Sequence, residues 1–183
     1  MKKFPFILLI AMLLGSIATS CFKDDDNMNK YSDWYEDNVD WYLEQSLLTQ
    51  DGKLFYTPYT APWDPSAEVL MHWFNDTSLT KGNLKPLYSS QVDVKYKLRL
   101  YDGTSVDSSY SSTSPADSIV RMRLTSAIEG WAIALPRMHI GDSCRIIVPY
   151  NVGYGSTGKS TVIKPYSTLQ FDIKLMGIPK YER

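Results

Sequence analysis

Several kinds of chemistry are missing from this chain. Its 183 residues include only two histidines, His72 and His139, and two cysteines, Cys21 and Cys144. No Cys/His cluster has zinc-ligand spacing. No Gly-x-Ser-x-Gly element is present, so a Ser-His-Asp hydrolase has little support. The acidic run Asp24-Asp25-Asp26 lacks the spaced ligands of a calcium loop. The net charge is −1, which leaves no basic footprint for nucleic acid. No repeat of about 20–50 residues is visible. The one clear apolar run, Phe4 to Leu14, is too short for an ordinary membrane span. No cofactor and no metal are expected.

What the chain does have begins with that apolar run. Lys2 and Lys3 precede it, and small residues from Gly15 to Ser20 follow it. This is the pattern of a signal peptide, residues 1–20. Ile17-Ala-Thr-Ser-Cys21 resembles a bacterial lipobox, with Ala18 where leucine is usual. Cys21 is therefore the expected lipidation site, an anchor rather than a span. With Cys21 acylated, Cys144 is the only free thiol and no intrachain disulfide can form. Cys144 shares strand parity with Ile146 and Val148, so a small buried apolar role is expected. Phe22-Lys-Asp-Asp-Asp26 resembles a signal for the outer face of the outer membrane; its plain reading is a solvated acidic tether.

Residues 21–65 are expected to form a tether, an amphipathic helix and a proline-rich linker. Asn27 to Gln50 reads as one helix, with Trp34, Trp41 and Leu48 repeating every seven residues and Asp51-Gly52 closing it. Pro58, Pro62 and Pro65 favour an extended connector. The main domain is placed at residues 66–183. Strands are expected at Glu68–Phe74, Gln91–Tyr101, Thr104–Asp107, Ser118–Leu124, Ser143–Val148 and Thr168–Ile178. The second alternates most cleanly: Val92, Val94, Tyr96, Leu98 and Leu100 share one face. Between the fourth and fifth, Ala127-Ile-Glu-Gly-Trp131-Ala-Ile-Ala-Leu135 reads as a short helix. Such a helix is not stable alone. Packing must hold it, and Trp131 is the candidate floor of an apolar pocket. The fold class is α+β: an antiparallel sheet curled around one short helix, with an N-terminal helical extension.

Gly153-Tyr-Gly-Ser-Thr-Gly158-Lys159-Ser160 fits the phosphate-binding loop pattern residue for residue. That loop needs a helix starting at its Lys-Ser. Here Thr161-Val-Ile-Lys-Pro165 follows, which disfavours a helix. No nucleotide site is expected.

From Val92 to Ile178 the order of features resembles the FKBP-type peptidyl-prolyl isomerase domain. The residues that carry this are Val94-Lys-Tyr96, Leu100-Tyr-Asp-Gly103, Asp107-Ser-Ser109, Ile128-Glu-Gly-Trp131, Met138-His-Ile-Gly141, Ile146-Ile-Val-Pro149, Gly153-Tyr154-Gly155 and Thr168-Leu-Gln-Phe171-Asp-Ile-Lys-Leu175. The resemblance implies an isomerase that assists folding of exported proteins, with Tyr96, Asp107, Trp131, Tyr154 and Phe171 as catalytic residues. It implies Val106, Ala127, Ile128, Val162 and Ile163 as substrate-binding residues. The Tyr154 hydroxyl and the Ile128 backbone N–H would bond peptide carbonyls. The partners implied are proline-containing peptides or unfolded exported proteins, and the location is the cell envelope, lipid-anchored to the outer membrane. The departures are Val106 where the family commonly has Phe, and Lys97-Leu98 where Thr-Gly is usual. They leave a second reading open, a catalytically weak FKBP-like lipoprotein that binds a peptide or partner. A third is a surface adhesin using exposed aromatics.

Overall fold

The computed structural model describes residues 24–180. The expected signal peptide and Cys21 lie outside the described residues. Helices α1 (Asp24–Lys30) and α2 (Ser32–Leu47) lead the chain. The strands follow as β1 (Thr49–Gln50), β2 (Lys53–Leu54), β3 (Thr57–Thr60), β4 (Glu68–Trp73), β5 (Gln91–Leu100), β6 (Ser105–Ser108) and β7 (Val120–Arg123). Helix α3 (Glu129–Ala134), β8 (Ser143–Val148) and β9 (Leu169–Lys180) complete the order. The main sheet is antiparallel and runs β3-β4-β8-β9-β5-β6, with β7 also paired to β5. No helix among the described residues is long and apolar enough to cross a membrane.

Strand β5 is the axis because its alternation is strict. Val92, Val94, Leu98 and Leu100 are buried, and they meet Leu135, Met138, Ile146, Phe171 and Leu175 in the main core. One edge of β5 pairs with β9 along its length, and the other is shared by β7 at residues 91–94 and β6 at residues 97–99. Between those partners Tyr96 has no strand to bond. Buried Ser109 fills the gap: its hydroxyl accepts the Tyr96 backbone N–H at 2.9 Å. A backbone group left open there would carry a desolvation cost.

The N-terminal region differs from its expected form in three ways. The predicted single helix is two, interrupted at Tyr31 (φ −120°, ψ 24°), and it stops at Leu47. Asp51 and Gly52 do not cap it. Both have positive φ (52° and 75°) and form the turn of the β1–β2 hairpin, the geometry a tight hairpin demands. The predicted proline-rich linker contains β3, an edge strand paired with β4, with Pro58 opposite Leu70. An edge tolerates a residue with no N–H to donate. The sheet therefore extends back to Thr57 and has seven strands rather than six.

Strands β4 and β8 are covered on both faces. Val69, Met71, Ile146 and Val148 enter the main core, while Leu70 and Ile147, of opposite parity, meet Tyr56, Phe55, Trp41 and Tyr42. Helix α2 thus packs on its own domain. It also grips the long loop before β9. Buried Asn38 accepts the Thr168 backbone N–H at 2.6 Å, Trp34 donates to Ser167 Oγ, and Tyr35 stacks edge-on to Tyr150 and Tyr166.

Two carboxylates link this fold to pH. Asp142 is buried, and burial alone would raise its pKa; bonds from Thr80, Asn75 and the His139 backbone N–H outweigh that and hold it below the ordinary value. Asp172 is desolvated too, but Arg145 and Arg99 hold it low, with Arg145 contacts of 2.6 and 2.9 Å. Both groups release protons more readily folded than unfolded. Their stabilisation is therefore complete above the unfolded value of about 4 and is lost as pH falls through the lower folded values. Urea unfolding is expected to show a midpoint that is flat near neutrality and falls below about pH 4, with the fall reduced in Asp172→Asn. An identical acid profile in that variant would contradict the assignment.

Candidate active site

Helix α3 has six residues, too few to hold itself. Gly130 lets it sit directly on the sheet. A Cβ there would lie 2.5 Å from Val148 Cγ1, so any other residue would force the Val148 side chain or the helix to shift. This close approach lowers the next residue, Trp131, onto β5 and β9. Its indole is buried and meets the Tyr96 ring at 5.4 Å and 80° and the Phe171 ring at 5.2 Å and 77°. Such edge-to-face pairs are a preferred aromatic geometry. Its Nε1–H has no hydrogen-bond partner, the one such buried side-chain atom among the described residues.

Above the indole lies an open cavity of about 230 Å³. It is smaller than the roughly 300–1,000 Å³ typical of small-molecule sites, which suits a group of side-chain size. Tyr96, Asp107, Trp131, Tyr154 and Phe171 all line it, as do Ala127 and Ile128. Seven of the ten expected site residues therefore meet at one place. The other three do not. Val106 is half-buried and packs against the core, Ile163 is buried in that core, and Val162 is 44% exposed to solvent.

The loop from Pro149 to Ser167 explains the difference for Val162 and Ile163. Gly158 has φ +67°, and a Cβ there would lie 2.6 Å from the Ile163 carbonyl oxygen. Past it the chain turns sharply: the Lys159 and Ser160 N–H groups both donate to the Ile163 carbonyl. Ile163 is tucked inward, Val162 faces water, and Lys159 reaches the cavity. The turn also disposes of the phosphate-loop match. The Gly158, Lys159 and Ser160 N–H groups are used within the loop, the Ser160 hydroxyl accepts from Ile163 N–H, and no helix follows.

The sequence reading missed Leu98, Met122, Ser126 and Lys159 as lining residues. Leu98 and Met122 carried a usable signal, since each lies two residues from an inward neighbour on its strand. Nothing in local periodicity marks Lys159.

The polar groups form two pairs. The Tyr96 hydroxyl donates to Asp107 Oδ2 at 2.6 Å, and the Ser108 backbone N–H donates to Oδ1 at 2.8 Å. Burial, then the bond to Asp107, pushes the Tyr96 phenol above its ordinary pKa, so it remains a donor at physiological pH. Across the cavity Lys159 Nζ donates to the Tyr154 hydroxyl oxygen at 3.1 Å. That leaves the Tyr154 O–H proton free to point elsewhere. No group of three His, Cys, Asp or Glu that could hold a metal occurs among the described residues. The other thiol, Cys144, is buried, and burial raises its pKa; it takes no part in the cavity.

Comparison with known proteins agrees with this geometry. Residues 82–176 match the family described as FKBP-type peptidyl-prolyl cis-trans isomerase. The chain is 32% identical to the macrophage infectivity potentiator of Trypanosoma cruzi over 170 residues, 91% of this chain and 80% of that protein. It is 39% identical to the peptidyl-prolyl cis-trans isomerase Mip of Coxiella burnetii over 95 residues, 52% of this chain and 40% of that protein. The latter match thus spans under half of the relative's length. The crystal structure of a peptidyl-prolyl cis-trans isomerase from Pseudomonas syringae shares the fold, with a TM-score of 0.57 at 24% identity, covering 88% of this chain and 99% of that one. FkpA of Escherichia coli gives a TM-score of 0.56 at 24% identity, covering 85% of this chain and 60% of that one. The chain therefore belongs to the FKBP-type peptidyl-prolyl cis-trans isomerases, enzymes that act on proline-containing peptides or proteins.

Proposed function

We propose that the cavity over Trp131 isomerises X-Pro bonds of exported proteins, with this chain tethered to the outer membrane by a lipid on Cys21. The observation that carries the catalytic part is the meeting of Trp131, Tyr96, Phe171, Asp107 and Tyr154 around one small open hollow. Rotation about a peptide bond faces a barrier of about 18–20 kcal/mol. X-Pro bonds isomerise in roughly tens to hundreds of seconds without help. Twisting the amide removes its resonance and its charge separation. A planar amide is best solvated by water; a twisted one loses less on entering an apolar hollow. The cavity therefore lowers the barrier by binding the twisted form better than the planar one. No nucleophile is required.

In this reading the proline ring rests on the Trp131 indole, between Tyr96 and Phe171. The free O–H of Tyr154 and the backbone N–H of Ile128 take the peptide carbonyls. Asp107 holds the Tyr96 hydroxyl and so fixes that ring as a wall. Leu98, where the family usually has glycine, adds bulk at the side of the hollow, and this favours the alternative of a binder with weak catalysis.

A prolyl-peptide isomerisation assay on the soluble chain separates the two. Acceleration above the spontaneous rate is expected. Trp131→Phe and Asp107→Ala are each expected to lower kcat/KM by about tenfold, or about 1.4 kcal/mol, with circular dichroism unchanged. A folded wild type that turns over no peptide leaves only the binding role.

The anchor has its own test. Cells grown with a labelled fatty acid are expected to label the protein through Cys21, and Cys21→Ala is expected to lose the label and the membrane association. An unlabelled wild-type protein would remove the anchor from the account.

A further inference from the structure

We propose that Lys159 sets the sequence preference of the site, favouring glutamate or aspartate immediately before the proline; this rests on the isomerase reading of the cavity. Among the described residues, Lys159 and Asp107 are the only charged side chains lining the hollow. They differ in how far their bonding capacity is used. Asp107 accepts a bond at each oxygen, from the Tyr96 hydroxyl and the Ser108 N–H. Lys159 forms no ion pair among the described residues. Its ammonium has three donors. One goes to the Tyr154 hydroxyl at 3.1 Å, with the Nζ 4.9 Å from that ring's centre. The other cation of that loop, Lys164, lies over the Trp34 ring at 4.3 Å, away from the cavity.

The position of Lys159 is built in by the loop. Gly158 allows the turn that no side chain could share, and the Lys159 N–H is fixed to the Ile163 carbonyl at 2.9 Å. A substrate carbonyl that accepts from the Tyr154 hydroxyl comes within a few bonds of the Lys159 ammonium. The side chain on the residue carrying that carbonyl is then within its reach. A carboxylate there gains a direct partner, and a lysine there meets a like charge. Asp107 acts in the opposite sense. Both side chains are exposed, but Asp107 is held by two bonds, from the Tyr96 hydroxyl and the Ser108 N–H, whereas Lys159 ends in a single bond to Tyr154 and can swing to contact. Lys159 therefore dominates. An exposed ion pair of this kind changes affinity by about two- to fivefold at low ionic strength, and salt screens it.

The test compares kcat/KM for four prolyl peptides with Glu, Gln, Leu or Lys before the proline. The wild type, Lys159→Gln and Lys159→Glu are measured at low and high salt. The expected wild-type Glu-to-Gln ratio is about two to five. It should approach one in Lys159→Gln and at high salt, and fall below one in Lys159→Glu. A ratio unchanged by both substitutions overturns the proposal. If no peptide is turned over, the isomerase reading fails. The same ratio is then taken from dissociation constants by tryptophan fluorescence titration, where equal binding of the Glu and Gln peptides overturns the preference.

Discussion

The close approach of Gly130 to Val148 governs the geometry of this molecule. It brings a six-residue helix, with no stability of its own, down onto the sheet. Trp131 then lies edge-on to Tyr96 and Phe171, rings supplied by two strands paired along their length. From Val94 to Leu100 those strands pair without a register shift, which fixes where the two rings stand. The indole closes the bottom of a hollow whose rim comes from loops. In the mechanism proposed above, the apolar floor excludes water and the polar rim orients the carbonyls.

Helix α2 bears on the same site from the other side of the chain. It does not touch the hollow, but it holds the start and end of the loop that supplies Tyr154 and Lys159. Asn38 fixes Thr168, Trp34 bonds Ser167, and Tyr35 packs on Tyr150 and Tyr166. A surface loop of this length pays a large entropic penalty for order. Those anchors limit its freedom at both ends. The N-terminal region is thus part of the domain's architecture, continuous with the edge strand at Thr57–Thr60.

Much of this was legible from residues alone. The alternation from Val92 to Leu100 located the central strand and its inward face, and Gly-Trp between two strand patterns located the short helix. Periodicity failed where the backbone departs from a regular element. Asp51-Gly52 serves a hairpin and a helix end equally well as a signal, and the hairpin won. Three prolines read as an extended connector, yet one fits an edge strand. In the loop, Val162 and Ile163 are apolar and were expected to be walls. The turn at Gly158 sends one outward and the other into the core, and it turns Lys159 toward the cavity. A side chain's direction in such a loop follows from hydrogen bonds between backbone groups several residues apart, which composition does not encode.

The central claim is that proline is received by the indole of Trp131. The five tryptophans allow a direct test by the indole N–H resonances of labelled protein during titration with a prolyl peptide. The account predicts that the Trp131 signal moves most and saturates with binding, since its N–H is unpaired and its ring floors the hollow. A Trp131 signal that stays still while that of exposed Trp63 shifts would contradict it and place the peptide elsewhere.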